Sequence, residues 1–362
     1  MDTESRRRRR FVWSHAAASA ELSGALTVPD LPVIATSSTK VYCGVWKSPR
    51  GEEVDVAVKE FGALLPRNLH RDPQALQEEL ITRFKRELIV WTQRIHPNLH
   101  PCLGYRLEPR PRLISPWCRH GNLTDYLSGN PDLSRVDKLR LIYQAALGLA
   151  HLHSLTPPIC HADIKPENVL INDKGEAALT DFGLSRILQD LGEPNGLTSS
   201  GTVRGTLRYM ATELHREEKQ RPDRQTDVYA FGGLILAVMS GKPPFWGLRD
   251  ATILLHIVKY ETPKPEEHPD LPPDDGLWSL IRHCWRSKRT ARPAMREILS
   301  ELAGVLEVSR LPELTTGYAD VYHGICTPPR RAPLEVAIKE FKALIPRSRQ
   351  SDREALRRKA ET

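Results

Sequence analysis

The run His161-Ala162-Asp163-Ile164-Lys165-Pro166-Glu167-Asn168, with Asp181-Phe182-Gly183 following 18 positions after Asp163, constrains this chain more than anything else in it. The spacing fits phosphoryl transfer. An aspartate beside a hydroxyl can accept its proton, and a lysine two residues on can reach a moving phosphate. An asparagine five residues on and a second aspartate can share magnesium ions. Either short motif alone is common by chance; the two in this order at this distance are specific.

The segment resembles the catalytic loop and metal-binding triplet of the eukaryotic protein kinases. Cys284-Trp285 and Arg292-Pro293 extend the likeness to the tyrosine-kinase-like and tyrosine kinase groups. The resemblance implies an α+β fold of two lobes, a small β-rich lobe with one main helix and a larger helical lobe. It implies a kinase domain over 30–306: small lobe 30–115, hinge 116–118, large lobe 119–306.

Val54–Lys59 alternates toward a strand, and Val41–Trp46 reads as its hairpin neighbour. By resemblance Lys59 holds the α- and β-phosphates of ATP. A helix follows, with Asp72 as cap, Pro73 in its first turn and an apolar face of Leu76, Leu80, Phe84, Leu88, Trp91 and Ile95. Glu87 borders that face and is the expected partner of Lys59; Glu78 and Glu79 are alternatives more than two turns away. The resemblance makes Ser115 the gatekeeper, gives adenine the Pro116 carbonyl and Cys118 N–H, and sandwiches it between Val41 and Ala57 above and Leu170 below. Asn168 and Asp181 would bind Mg2+, with Asp163 as base and Lys165 on the γ-phosphate. Asp227 would hold the catalytic-loop backbone from below, and His161 would be a packed core histidine near Phe182.

The chain departs from the family where glycines should cover the phosphates: those positions hold Ile34, Thr36 and Thr39, with Ser38 at the tip. Glycine lets backbone approach a phosphate without an intervening Cβ. Thr36 and Thr39 remain in the expected nucleotide site, offering N–H groups and hydroxyls with Ser37 and Ser38, and weak ATP affinity is predicted. Ala162 replaces the arginine that would pair a phosphorylated loop, so activity should not require phosphorylation at Thr198, Ser199, Ser200 or Thr202. Thr212 replaces the proline before Glu213, which keeps its charge for Arg292.

Lys165-Pro166-Glu167-Asn168 resembles the Ser/Thr kinases, as does Gly205-Thr206; Arg208-Tyr209 leaves room for weak tyrosine activity. A pseudokinase scaffold with little or no turnover is the second reading, resting on the glycine-free loop and the duplication below. Against it stand Lys59, Glu87, Asp163, Lys165, Asn168 and Asp181, all of the expected type.

Adding 280 to each number carries Val41-Tyr42-x-Gly44 onto Val321-Tyr322-x-Gly324, and Val56-Ala57-Val58-Lys59-Glu60-Phe61 onto Val336-Ala337-Ile338-Lys339-Glu340-Phe341. Self-similarity at a fixed offset means duplication. Residues 312–362 therefore read as a partial second small lobe that ends before any catalytic loop, with Gly317 and Tyr318 in its covering turn. Isolated hairpins are marginal in water, and the expectation is an unstable tail more than a docking module.

The net charge of +7 owes much to Arg6–Arg10, read as a disordered basic tail over 1–25, with no nucleic-acid partner expected. Ser14 and His15 break any signal-peptide core, and Asp2 and Glu4 spoil a mitochondrial presequence. No apolar run is long enough to cross a bilayer. Six cysteines without metal or disulfide spacing point to a reducing, cytoplasmic setting, with the arginine run as a nuclear alternative. The expected partner is a protein substrate; oligomeric state is not legible.

Overall fold

The computed structural model describes residues 22–36, 39–61, 96–107, 110–182, 207–216 and 221–308, and the backbone of three further strands within 314–341. The chain divides into two compact units, 1–302 and 303–362.

The first unit opens with a twisted sheet. Strands β1 (Ala25–Thr27) and β2 (Ile34–Ala35) both pair with one edge of β3 (Thr39–Lys47). The order continues through β4 (Glu53–Phe61) and β6 (Arg112–Pro116) to β5 (Gly104–Arg106), all antiparallel. Side chains alternate across a strand, so the register sorts them into faces. Tyr42 lies opposite Val58, and Val58 opposite Ile114. These residues bury together with Val56 and Leu22 as the core of one face. Val41 lies opposite Lys59, and Cys43 opposite Ala57, which lies opposite Ser115. Val41, Ala57, Lys59 and Ser115 therefore share the other face.

Residues 22–25, expected in the tail, instead cross the core face of this sheet. The Leu22 N–H donates to the Tyr105 carbonyl at 2.9 Å, and Trp46 Nε1 to the Ser23 carbonyl at 2.9 Å. The reason is apolar burial: Leu22 fills the space above Tyr42, Val56 and Val58. Gly44 permits the close approach of β1, since a Cβ there would sit 2.7 Å from the Thr27 carbonyl oxygen.

Helices follow. α1 (Leu123–Gly129) is capped by Asn122, and α2 (Arg135–Ser154) by Ser134. Its residues Leu139, Ile142, Ala146, Leu149 and Leu152, spaced three or four apart, are fully buried. α2 presses against the backbone at Asn98, whose carbonyl oxygen leaves only 2.4 Å for a Cβ at Gly148. A short hairpin, β7 (Val169–Ile171) and β8 (Ala177–Leu179), lies on α2. α3 (Glu213–Arg216) precedes α4 (Arg224–Ser240), which starts in a capping box of Asp223 and Thr226 and stops at Gly241 in the left-handed region, φ 67°. Almost all of α4 is buried, as a helix apolar on every side should be. α5 (Asp250–Val258), α6 (Leu277–Cys284) and α7 (Met295–Val308) complete the helical part. The architecture is the expected α+β arrangement of a sheet-rich and a helical lobe.

The second unit contains β9 (Leu314–Thr315), β10 (Ala319–Cys326) and β11 (Leu334–Phe341) in the order β11-β10-β9. Its register repeats the first copy residue for residue. Val321 lies opposite Lys339 as Val41 lies opposite Lys59, and Leu314 opposite Val321 as Ile34 opposite Val41. No helix among the described residues is long and apolar enough to cross a membrane.

Candidate active site

Three backbone segments meet beneath the Lys59 face of the sheet. The first is the turn after α2. Asp227, on the first turn of α4, accepts the N–H of His161 on Oδ2 and that of Ala162 on Oδ1, both at 2.8 Å. His153, at the end of α2, adds Nε2 at 2.8 Å from the same Oδ2. Burial opposes charge on Asp227, but the His153 hydrogen bond and the other polar neighbours outweigh it and hold the carboxyl below its ordinary range. Ala162 sits at φ 67°. A non-glycine residue in that region is costly and persists only where its surroundings enforce it; two amide bonds to one buried carboxylate do so here.

The second segment carries Asp163, Lys165 and Asn168, all buried. Lys165 Nζ lies 2.9 Å from Asp163 Oδ2. Asn168 Nδ2 donates to the Asp163 carbonyl at 2.7 Å and to Asp163 Oδ2 at 2.6 Å. The residues stay together because Pro166–Asn168 forms a single 3-10 turn, whose Asn168 N–H returns to the Lys165 carbonyl at 3.0 Å.

The third segment brings Asp181. The Thr180 N–H donates to the Asn168 carbonyl at 3.0 Å, docking the strand end onto the turn. Asp181 then adopts φ 63°, a second left-handed non-glycine residue. Its Oδ2 meets Lys59 Nζ at 2.7 Å, with both side chains largely buried. An ammonium, two carboxylates, a second ammonium and an amide thus line one site. Glu87, the expected partner of Lys59, lies outside the described residues, as do Gly183, Ser37, Ser38 and the serines and threonines of 198–202.

Above the site, Val41 and Ala57 are half-buried on the Lys59 face, with Ser115 buried beside them. Leu170 is half-buried between two fully buried neighbours, Val169 and Ile171. Pro116 belongs to the end of β6, opposite Val56, and the Trp117 N–H donates to the Asp55 carbonyl at 3.0 Å. The Cys118 carbonyl accepts from Gly121 N–H at 3.1 Å. Burial pushes the Cys118 thiol up to about 12, aided by the charge of Asp173, so the thiol stays protonated at neutral pH.

Thr36 and Thr39 bind each other. The Thr39 N–H donates to Thr36 Oγ1 at 2.9 Å, Thr36 Oγ1 lies 3.0 Å from Thr39 Oγ1, and the Thr36 N–H donates to the Thr39 carbonyl at 2.8 Å. The Thr39 amide expected to face a phosphate is engaged inside the turn, because a hydroxyl at position 36 offers the local acceptor that glycine would not.

The residues fit a nucleotide with a divalent ion. Among the described residues no group of three or more His, Cys, Asp or Glu forms a metal cage. Magnesium does not need one, because it takes one or two protein oxygens and completes its shell with phosphates and water. With Nδ2 of Asn168 committed to Asp163, Oδ1 is the remaining polar atom of that side chain.

Sequence reasoning missed two contributors. His153 carries no motif; only its place on the last turn of α2 brings it to Asp227. His100 is buried with Nδ1 3.8 Å from Cys118 Sγ. Burial lowers its pKa to about 4, partly offset by the charge of Asp181 and a bond to the Pro116 carbonyl. Its backbone N–H ties the segment to Leu179 at 2.8 Å. His161 is also buried and held neutral, edge-on to Phe182 at 6.3 Å between ring centroids. Glu213 receives Arg292 at 2.6 and 2.9 Å, and the same guanidinium donates to the Gln225 carbonyl at 3.0 Å, tying α3 to the start of α4.

The model of the family described as protein tyrosine and serine/threonine kinase matches residues 34–302. A protein of Acanthamoeba polyphaga mimivirus, named as serine/threonine-protein kinase/receptor R831, is 33% identical over 270 residues, covering 74% of this chain and 15% of that protein. The L-type lectin-domain containing receptor kinase IV.2 of Arabidopsis thaliana is 33% identical over 76% of this chain and 40% of its own length. Human receptor-interacting serine/threonine-protein kinase 3 is 30% identical over 56% of this chain and 39% of its own. The chain thus spans less than half the length of each of these relatives. With the site's polar groups gathered as above and the family match running through both lobes, the chain belongs to the eukaryotic protein kinases, and its relatives' names fit the tyrosine-kinase-like group.

Proposed function

We propose that the chain transfers the γ-phosphate of ATP to serine or threonine hydroxyls of proteins, acting in the cytoplasm. The observation carrying this reading is the pairing of Lys59 with Asp181 and of Asp163 with Lys165 and Asn168, all buried, in two segments that the Thr180 N–H docks together at the Asn168 carbonyl. A family member that had lost its chemistry would have little reason to keep every charge there.

In this reading Lys59 binds the α- and β-phosphates, exchanging part of its contact with Asp181 for phosphate oxygens. Asn168 and Asp181 hold Mg2+, which supplies neutralisation of charge on the phosphates. Asp163 orients the substrate hydroxyl and takes its proton at the carboxylate. Lys165 places positive charge beside the transferring phosphoryl group. Val41, Ala57 and Leu170 enclose the adenine, with Ser115 and Cys118 at its edge. Positioning and electrostatics supply most of the acceleration.

The pseudokinase reading is favoured by one observation, the closed turn at Thr36 and Thr39. It weakens the grip on phosphates without touching the groups below, so the proposal is a slow kinase with weak ATP affinity. Phosphoamino-acid analysis of a protein substrate labelled by the full chain tests the specificity. Phosphoserine or phosphothreonine is expected; phosphotyrosine alone would overturn it.

A further inference from the structure

The duplicated strands bear on how this chain assembles. In the first copy, β4 is an inner strand. One edge pairs with β3 and the other accepts β6 antiparallel, from Val56 opposite Pro116 to Glu60 opposite Arg112. In the second copy the equivalent strand, β11, pairs with β10 alone among the described residues. The positions matching the occupied edge of β4 are Val336 to Glu340. An edge of this length is a template for another strand.

From this edge and its charge pattern we infer that β11 pairs antiparallel with β11 of a second copy of this chain, joining two three-stranded sheets about a twofold axis centred on Ala337. A twofold perpendicular to a sheet keeps every residue on its own face, so it must pass opposite a residue and never between two. That leaves a small set of registers. Centred on Ala337, Glu335 of each chain stands opposite Lys339 of the other, twice by symmetry, and Val336 stands opposite Ile338. Centred on Ile338, Lys339 meets Ala337 and Glu340 meets Val336. Centred on Lys339, that residue stands opposite its own copy, like charge against like. Centred on Val336, Glu335 meets Ala337. Only the Ala337 register pairs opposite charges and apolar positions together, which cross-strand energetics favour. The first copy cannot compete, because its edge is covered by β6. The interface requires no catalytic group and stands apart from the proposed activity.

The test uses the full chain in two measurements. Light scattering after size exclusion should give twice the 41.0 kDa monomer mass. Lys339→Glu should return the monomer mass, and Glu335→Lys with Lys339→Glu should restore the dimer. Ala337→Cys and Glu335→Cys then read the register under mild oxidation. Opposed residues on antiparallel strands lie within about 5.5 Å, a span that a disulfide bridges. Glu335 and its symmetry mate would be more than twice as far apart. Ala337→Cys should form a covalent dimer beyond the wild-type level, and Glu335→Cys should not. A monomeric wild type, a dimer indifferent to Lys339→Glu, or equal cross-linking at both positions would overturn the inference.

Discussion

Lys59 and Asp181 lie 122 residues apart in the chain, yet Nζ and Oδ2 meet at 2.7 Å in a site nearly closed to water. One comes from near the end of β4, the other from a left-handed turn in the helical lobe. This buried pair is one point at which the two lobes share charge. A buried ion pair contributes little net stability, but removing one partner strands the other.

Lys59→Met should therefore act twice. It should destabilise the fold by about 3 kcal/mol by taking the ammonium away from the buried Asp181 carboxylate, seen as a lower denaturant midpoint. It should also remove the rise in melting temperature caused by ATP with magnesium. Lys59→Arg should recover most of the stability and little of the nucleotide response, since a guanidinium differs from a compact ammonium in shape and reach. Full nucleotide response in Lys59→Met would place the phosphates elsewhere.

The Thr36–Thr39 turn makes a prediction in the opposite direction. Thr36→Gly with Thr39→Gly removes the internal acceptors and the Cβ atoms, freeing backbone N–H groups for phosphate. The KM for ATP should fall about fivefold, near 1 kcal/mol, with kcat changed less. An unchanged or raised KM would show that the closed turn is not what limits affinity.

Asp227 touches no reacting atom in this account; it positions the loop that does. Asp227→Ala removes the acceptor for two buried amides and for His153, and should cost about 3 kcal/mol or more. Asp227→Asn keeps the shape and one acceptor and should recover part of that. If Asp227→Ala melts like the wild type, the left-handed turn at Ala162 is held by something else.

Acid should weaken the fold in two separable windows. His100 and His268 are buried and held to about 4, from an ordinary 6.5, chiefly by loss of solvent. Between those values the unfolded chain binds more protons than the folded one. Stability is full above 6.5 and falls as pH drops toward 4, by up to about 1.4 kcal/mol per pH unit for each histidine. Asp227, depressed below 3.8, adds a further loss only under that value. Denaturant titration from pH 7 to 4 measures the first window, and His268→Gln should reduce its slope. A flat profile would mean that both histidines charge freely in the folded state.

Much of the site was legible in the sequence because it depends on local spacing. Asp163, Lys165 and Asn168 meet through one 3-10 turn, so six residues contain the whole geometry. The β3–β4 hairpin announced itself by alternation, and its copy by repetition. Other features depend on contacts between distant segments. Glu60 follows Lys59 and reads as a surface carboxylate, yet it is buried because Arg112, opposite it on β6, reaches it at 2.7 Å. Leu22 to Thr27 carry no periodicity; the vacant face of the sheet selects them. The threonine turn showed its missing glycines in the sequence, but not that its hydroxyls would close on each other.

The most direct test of the central claim is transfer of labelled γ-phosphate from ATP to protein by the full chain, with and without magnesium, beside Asp163→Asn. The substitution preserves shape and removes the proton acceptor. Slow magnesium-dependent incorporation is expected, falling at least a hundredfold in the variant. Equal incorporation by wild type and Asp163→Asn, or none by the wild type at millimolar ATP, would contradict it.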